Sequence, residues 1–269
     1  RMLELAQERL QELIGGQYLE PIELINVALT LSTLIGLDNL GASGSNGQLP
    51  DIAGLEVGLY YKSASMPSGD FFDFIPLDNG SWGIIIGDVA DKGLPAILYA
   101  RSCRMLLRVI AQRRSDPVEA LQQLNHILLT GQSSMFITVW MGIWRPATST
   151  LVYAKGGHNP PFIVRAAQQE AEHLNTKGVA IGFFDGIQLD REETQLLDGD
   201  VLTVFTDGIV EASSPQDVDF GETRLEALCR SNRLLSAQAI ADLIGKEVQK
   251  HTAGSKRYDD AIAIVLRRV

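Results

Sequence analysis

Five aspartates stand at the ends of apolar segments that have the composition of β-strands, and they are the residues best suited to chemistry. They are Asp70, Asp88, Asp207, Asp259 and Asp260. Carboxylates that lie side by side repel each other, and one of them keeps its proton unless a cation lies between them. Oxygen ligands without His or Cys suit hard cations such as Mg²⁺ or Mn²⁺. If these residues converge, the sequence predicts a site for two such ions, about 3.5–4 Å apart, an arrangement used for in-line displacement at phosphorus.

A predicted hairpin brings the first two acids together. Two apolar segments flank Asp78-Asn79-Gly80, which suits a three-residue loop with Gly80 in the left-handed conformation. That loop pairs Phe72 with Ile86 on an apolar face and sets Asp70 opposite Asp88. A two-residue loop would set an aspartate opposite an isoleucine, so the hydrophobic pattern favours the longer loop. Taken alone, the two acids could equally be strand-end residues in contact with water.

A second pair of apolar segments carries the remaining acids. Asp207 closes the segment 201–207, and Asp259 and Asp260 precede the segment 261–266. An acid that closes one strand lies at the same sheet edge as an acid that opens the next, if the two strands are antiparallel neighbours. We therefore expect four acidic sites, at positions 70, 88, 207 and 259/260, to converge at one rim.

The segments that must position these acids occur in blocks. Strands are predicted at 55–61, 71–77, 82–88, 136–144, 150–154, 162–165, 201–207 and 261–266. Helices are predicted at 94–113, 117–129, 221–231 and 236–251. Because the helices come in pairs between blocks of strands, the pattern favours an α+β layered domain over a doubly wound parallel sheet.

Residues 1–48 differ in character from the rest. Apolar residues recur at helical spacing before and after Gly15-Gly16, and residues 41–47 form a linker rich in Gly and Ser. We expect residues 1–48 to be a helical connector and dimerisation segment, and residues 49–269 to be a separate domain. The alternative is that these helices pack on the core of that domain. The chain begins at Arg1, so we also expect a longer protein with an upstream sensor or regulatory domain.

Composition narrows the classes of function. The chain has 269 residues, 45% of them hydrophobic, and a formal net charge of −10, which argues against nucleic-acid binding and polybasic membrane docking. Cys103 and Cys229 form no cluster with His, which excludes a structural zinc site. The longest apolar runs, 27–37 and 136–144, are shorter than the roughly 20 residues that cross a bilayer. No signal peptide is visible, and the predicted compartment is the cytoplasm.

Five motifs follow one another in an order that is specific. They are 68–74 (SGDFFDF), 87–96 (GDVADKGLPA), 157–161 (GHNPP), 206–208 (TDG) and 259–260 (DD). Together they closely resemble the SpoIIE-like branch of the type-2C (PPM) metal-dependent protein serine/threonine phosphatases. The resemblance implies a four-layer α-β-β-α sandwich with two central antiparallel sheets, to which the apolar pattern of residues 1–48 adds a helical N-terminal extension. It also implies a site for two Mn²⁺ or Mg²⁺ ions at one end of the sandwich.

By motif match, the resemblance assigns roles to particular residues. The catalytic acids would be Asp88 and Asp207, with Asp88 bridging both ions and the Val89 carbonyl binding one of them. Asp207 and Asp259 would hold the second ion. Asp70 would anchor the cluster, directly or through water.

The same comparison leaves the roles of four other positions open. Asp260 occupies a position that is often Asn in the wider superfamily, so it ranks below Asp259 as a ligand. Ala90 stands where eukaryotic-type members carry a His proposed as general acid, which leaves the proton donor to the leaving group open. Lys92 could bind a substrate phosphate or be a solvated lysine. His158 could contact substrate, but within its motif it more simply shapes a turn between two strands.

The resemblance implies hydrolysis of a phosphomonoester. A metal-activated water would attack phosphoserine or phosphothreonine on a bacterial signalling partner such as an anti-sigma-factor antagonist. Two alternatives remain. A catalytically weak regulatory module would bind a phosphoprotein without hydrolysing it. A GGDEF-type nucleotide cyclase would share an acidic motif similar to residues 68–74, but it would leave the acids at 207 and 259/260 unexplained.

Deletion of residues 1–45 tests the predicted dimerisation segment. If its amphipathic helices pair two chains, the full chain sediments as a dimer and the truncated chain as a monomer, because the apolar stripe that was buried between the chains is gone. Sedimentation velocity measures both masses. The same association state for both chains would show that this segment does not pair them.

Overall fold

The computed structural model describes residues 49–63, 69–130, 135–168, 170–255 and 259–269. Residues 1–48, for which a helical connector is predicted, lie outside this part of the chain. The strands within it are β1 (Leu55–Lys62), β2 (Phe71–Pro76), β3 (Trp82–Val89), β4 (Ile137–Arg145), β5 (Thr150–Gly156), β6 (Phe162–Val164), β7 (Ala171–His173), β8 (Glu192–Gln195), β9 (Val201–Phe205) and β10 (Ala261–Arg268). The helices are α1 (Leu94–Arg113), α2 (Pro117–Thr130), α3 (Asp207–Val210), α4 (Glu222–Ser231) and α5 (Ala237–His251).

These strands form two five-stranded antiparallel sheets. The first sheet has the order β1-β10-β9-β6-β7, and the second has the order β2-β3-β4-β5-β8. In the second sheet, β2 to β5 are neighbours in the order of the chain. In the first sheet, β1 pairs with β10, so that Leu55 lies opposite Arg268 and Lys62 opposite Ala261. This sheet therefore joins the first and last strands.

Three apolar interfaces join the layers. Helices α1 and α2 pack on the second sheet through side chains such as Leu106, Leu124 and Ile85. Helices α4 and α5 pack on the first sheet through side chains such as Leu225 and Ile244. The two sheets face each other through Phe74, Ile86, Trp140, Trp144, Leu202 and Ile264, among others. The predicted α-β-β-α sandwich is thereby confirmed.

The hairpin of β2 and β3 has the predicted register. Phe72 lies opposite Ile86, and Phe71 opposite Gly87. The loop residues 78–80 form a short 3₁₀ turn in which both Asn79 and Gly80 have positive φ angles, of 58° and 70°. The apolar face formed by alternate residues is buried between the sheets, which fixes the register because a slip of one residue would turn the charged Asp73 into that core.

Three local features depart from the predicted elements. Strand β9 ends at Phe205, and Asp207 begins the one-turn helix α3 instead of closing the strand. Strands β7 and β8 were not predicted; both are edge strands, and their sequences AEH and EETQ are polar. Edge strands of this kind need no apolar alternation, since one side of them faces solvent.

Asp73 belongs to the same motif as Asp70 but serves the fold. Side chains alternate along a strand, so Asp73 faces helix α1 and is fully buried there. Its Oδ1 accepts a hydrogen bond of 2.6 Å from Arg108 Nη2, and Arg104 Nε lies 3.5 Å from Oδ2. A buried charge that is paired in this way ties β2 to α1.

Both cysteines are buried within helices. Burial raises the pKa of the Cys103 thiol, and it raises the pKa of Cys229 to about 11. Both are therefore thiols without thiolate reactivity at neutral pH. Among the helices described, none is long and apolar enough to span a membrane.

Candidate metal centre

Asp70 and Asp88 meet at the end of the β2–β3 hairpin. Their carboxyl groups are hydrogen-bonded to each other, and this contact raises the pKa of Asp70 and lowers that of Asp88. Burial, followed by the charge of Asp88, raises the pKa of Asp70 well above its usual range. Burial also raises the pKa of Asp88 to about 6, and the charges of Asp207 and Asp259 add to the rise. The predicted face-to-face placement of the first two acids is confirmed.

Asp207 and Asp259 reach the same place from the first sheet. Strands β9 and β10 are antiparallel neighbours, so the end of one and the beginning of the other lie at one edge. Burial raises the pKa of Asp207, and the charge of Asp259 raises it further. Gly208 permits this close approach, since a Cβ at that position would overlap the Asp260 carbonyl oxygen.

Thr206 links the two sheets beneath the acids. Its hydroxyl oxygen accepts a hydrogen bond of 3.1 Å from the Ile262 backbone N–H, and the hydroxyl donates to the Asp70 carboxylate. The sequence motif included Thr206 but gave it no role. The only signal for Thr206 in the sequence is its neighbour Asp207. Its partners Asp70 and Ile262 lie far from it in the chain, so no local pattern reveals these contacts.

The two consecutive acids 259 and 260 have different surroundings. The Asp259 side chain is 41% exposed and lines a cavity next to Asp207. Asp260 is 2% exposed, and its charge, after burial, helps to raise the pKa of Tyr61. Of the two, Asp259 is the one whose charge acts on Asp88 and Asp207.

The cavity beside these acids has a volume of about 330 Å³. Lys92 lies at its edge, with its Nζ 2.6 Å from Asp259 Oδ2, and this hydrogen bond raises the pKa of Lys92. Lys62, Glu211 and Ser213 also line the cavity. The sequence analysis did not identify these three residues. Lys62 reaches the cavity because it pairs with Ala261, and that pairing between distant strands cannot be read from a local pattern.

His158 is buried next to the strands that carry the acids, and its contact with a substrate stays a prediction. It is only 2% exposed, and its Nδ1 lies 3.0 Å from Thr138 Oγ1. Burial lowers its pKa to about 4, so the ring is neutral near pH 7. Thr138 pairs with Asp88 in the β3–β4 ladder, and His158 therefore supports the strand next to the acids.

A family model described as Stage II sporulation protein E (SpoIIE) matches residues 78–269, more than two thirds of the chain. The chain belongs to the SpoIIE family. This confirms the resemblance drawn from the five motifs. The interpretation as a GGDEF-type cyclase is wrong, because that fold would contain neither the two facing antiparallel sheets nor the acids at 207 and 259.

Named relatives of this SpoIIE-family chain are distant. It is 28% identical to Protein IcfG of Synechocystis sp., over 82% of this chain and 39% of that protein. It is 27% identical to Phosphoserine phosphatase RsbU of Bacillus subtilis, over 82% of this chain and 65% of that protein. The structure of the PP2C phosphatase domain and a regulatory fragment of SpoIIE from Bacillus subtilis has the same fold, with a TM-score of 0.67 and 23% identity over 79% of this chain and 63% of that one. The chain thus spans less than two thirds of each of these proteins.

The donor set of the SpoIIE-family chain fits hard divalent cations. Asp70, Asp88, Asp207 and Asp259 supply only carboxylate oxygens, which Mg²⁺ and Mn²⁺ prefer. The raised pKa values of the first three show negative charge concentrated where it is poorly solvated. The Val89 carbonyl accepts a hydrogen bond of 2.7 Å from the Asp91 N–H, and a carbonyl oxygen has a second lone pair that is suited to a ligand.

The metal-free protein should lose stability as the pH rises from about 4 to about 6. Because the folded-state pKa of Asp88 lies near 6, the folded protein holds a proton there that the unfolded chain has already lost, so the free energy of unfolding falls across this window. The loss is on the order of 2 kcal/mol. Denaturant unfolding in chelator at pH 4.5 and pH 7.5 measures it.

Asp88→Asn should flatten this pH dependence and raise the metal-free stability at pH 7.5, since the repulsion is relieved. Asp51→Asn, at an exposed position, is the matched control and should leave the dependence unchanged. A lower metal-free stability of Asp88→Asn at pH 7.5 would contradict the crowding of charge.

Proposed function

We propose that this chain is a metal-dependent protein phosphatase that hydrolyses phosphoserine or phosphothreonine. The observation that carries the proposal is the convergence of two aspartates from each sheet, with the pKa values of Asp70, Asp88 and Asp207 all raised. Membership of the SpoIIE family supports it. The name of RsbU, a phosphoserine phosphatase that is 27% identical, supports the choice of substrate class.

The four carboxylates would hold two Mn²⁺ or Mg²⁺ ions. Asp88 is the bridging ligand in this proposal, because it interacts with acids from both sheets. Asp70, Asp207, Asp259 and the Val89 carbonyl are the other protein ligands, and Asp260 is the weaker candidate. Such ions would lower the pKa of a bound water, which makes it a nucleophile. Their positive charge would also stabilise the phosphoryl oxygens.

Two features of the chain itself would bind the phosphate. Lys92 Nζ lies at the rim, where it donates to Asp259, and a phosphate group there would offer it an equivalent acceptor. Helix α1 begins at Leu94 with Pro95 in its first turn, so the positive end of its dipole lies six residues after Asp88 in the chain. Both features favour a dianionic group next to the acids.

The partner in this proposal is a phosphorylated signalling protein of bacteria, such as an anti-sigma-factor antagonist, in the cytoplasm. Because the chain spans 39% of IcfG and 65% of RsbU, we further propose that it works with an upstream regulatory domain. Pairing of two chains through residues 1–48 belongs to the same proposal.

Asp88→Asn and Asp207→Asn should each abolish Mn²⁺-dependent hydrolysis of p-nitrophenyl phosphate, because each removes a proposed carboxylate ligand of the metal ions. Circular dichroism should show an unchanged fold. Asp198→Asn is the control, since the Asp198 side chain is 86% exposed and bonds only at the surface to Arg268. Near-normal rates in either site variant would refute the two-metal site. A wild-type chain that binds a phosphoprotein without turnover would instead be the regulatory module.

Lys92→Ala should raise the KM for p-nitrophenyl phosphate about tenfold and change kcat less, because a lost charge-assisted hydrogen bond costs about 1.5 kcal/mol. Lys92→Arg keeps the positive charge and should restore much of the affinity. Lys246→Ala, at an exposed position on α5, is the matched control. An unchanged KM in Lys92→Ala would mean that this lysine is only a solvated partner of Asp259.

A further inference from the structure

Two exposed phenylalanines and the partly buried Phe136 form an aromatic surface at the beginning of strand β4. The ring of Phe183 lies 5.2 Å from that of Phe136 and 4.5 Å from that of Phe184, in edge-to-face contacts. Phe183 is 55% exposed and Phe184 is 56% exposed. In the part of the chain that the structure describes, they are the two aromatic residues among the exposed large hydrophobic ones. We call Phe136, Phe183 and Phe184 the aromatic surface.

The loop that presents these rings is held firmly by helix α2. Asn125 is buried, and its side-chain oxygen accepts a hydrogen bond of 2.7 Å from the Gly182 N–H. Its side-chain nitrogen donates to the Phe184 carbonyl at 2.9 Å. Ile181 and Ile137 also exchange two backbone hydrogen bonds of 2.9 Å. Because the buried Asn125 amide fixes the loop backbone, the exposed rings are preorganised. Preorganisation lowers the entropic cost of binding a partner.

Backbone hydrogen bonds connect the aromatic surface to the strand that carries Asp88. The Ala90 N–H, two residues after Asp88, donates to the Phe136 carbonyl at 3.0 Å. Val89 pairs with Ile137, and Ile137 pairs with Ile181. With neighbouring strands about 4.8 Å apart, the loop begins about 10 Å from Val89. An extended peptide covers that distance in about three residues.

We propose that the aromatic surface binds apolar side chains of the phosphoprotein substrate, three or four residues from its phosphoserine. The inference rests on the proposed phosphatase function. The size of the surface favours this occupant over a second copy of the chain. Two half-exposed phenylalanines offer roughly 200 Å², whereas a stable dimer buries about 600–800 Å² on each partner.

Charge gives a second reason for an apolar contact at this place. A phosphoprotein must approach a cluster of carboxylates on a chain of net charge −10, and its own phosphate adds to the repulsion. An apolar contact near the site supplies attraction that does not depend on charge and that salt does not screen. It also distinguishes a protein substrate from small phosphate esters.

Two synthetic phosphoserine peptides test the proposal. One carries Leu at the third and fourth positions on both sides of the phosphoserine, and the other carries Ser there. With Mn²⁺, the full chain should hydrolyse the Leu peptide with a kcat/KM about tenfold higher, mostly through KM, and the ratio should be the same at low and high salt. The double variant Phe183→Ser, Phe184→Ser should lower the ratio to about one. Phe184→Leu, which stays apolar, should keep most of it.

Leu234→Ser is the matched control, because Leu234 is 80% exposed and lies between helices α4 and α5. Its peptide ratio should equal that of the wild type. A ratio near one in the wild type, or a ratio that the double variant leaves unchanged, would overturn the proposal. So would a lower sedimenting mass of the double variant with an unchanged ratio, since the surface would then join two copies. Absence of any hydrolysis of p-nitrophenyl phosphate by the wild type would instead refute the phosphatase function itself, and this inference with it.

Discussion

Repulsion among poorly solvated carboxylates is the constraint on which this site depends. Asp70 and Asp88 come from one sheet, and Asp207 and Asp259 come from the other, so their charges oppose the closure of the two sheets at this end. Burial is the main reason why the pKa values of Asp70, Asp88 and Asp207 are raised, and the charges of neighbouring acids add to the rise. A divalent cation would reverse it, because each carboxylate would then lie next to a positive charge instead of a like charge. The same geometry that weakens the metal-free fold would therefore favour the binding of a cation.

Apolar packing between the sheets holds the acids in place against this repulsion. Phe74, Trp140 and Trp144 are fully buried there, and burial of one large apolar side chain contributes about 1.5–3 kcal/mol. The raised pKa of Asp88 corresponds to a penalty on the order of 2 kcal/mol near neutral pH. A few residues of the inter-sheet core thus outweigh the penalty of a single acid. The hairpin connects the two effects, since Asp70 continues the strand whose alternate residues fill that core.

The sequence predicted best what apolar alternation controls. The pairing of Phe72 with Ile86 follows from the pattern alone, because a slip of one residue would set Asp73 opposite Ile86 within the apolar face. The pairing of β1 with β10 joins segments about two hundred residues apart, and no local pattern encodes it. The short strands β7 and β8 escaped prediction since their residues are polar. The burial of His158 was equally hidden, because it depends on Thr138 in a neighbouring strand rather than on the residues around it in the chain.

Metal binding and phosphate binding at this site must favour each other. Without cations, the carboxylates of Asp207 and Asp259 line the cavity that a phosphate would enter, and Lys92 is hydrogen-bonded to Asp259 rather than available to an anion. Once the carboxylates are neutralised, the attraction of Asp259 for Lys92 weakens and the lysine can donate to phosphate instead. The binding free energies of two ligands on one protein are linked. If bound metal ions raise the affinity for phosphate by some factor, bound phosphate raises the affinity for the metal ions by the same factor.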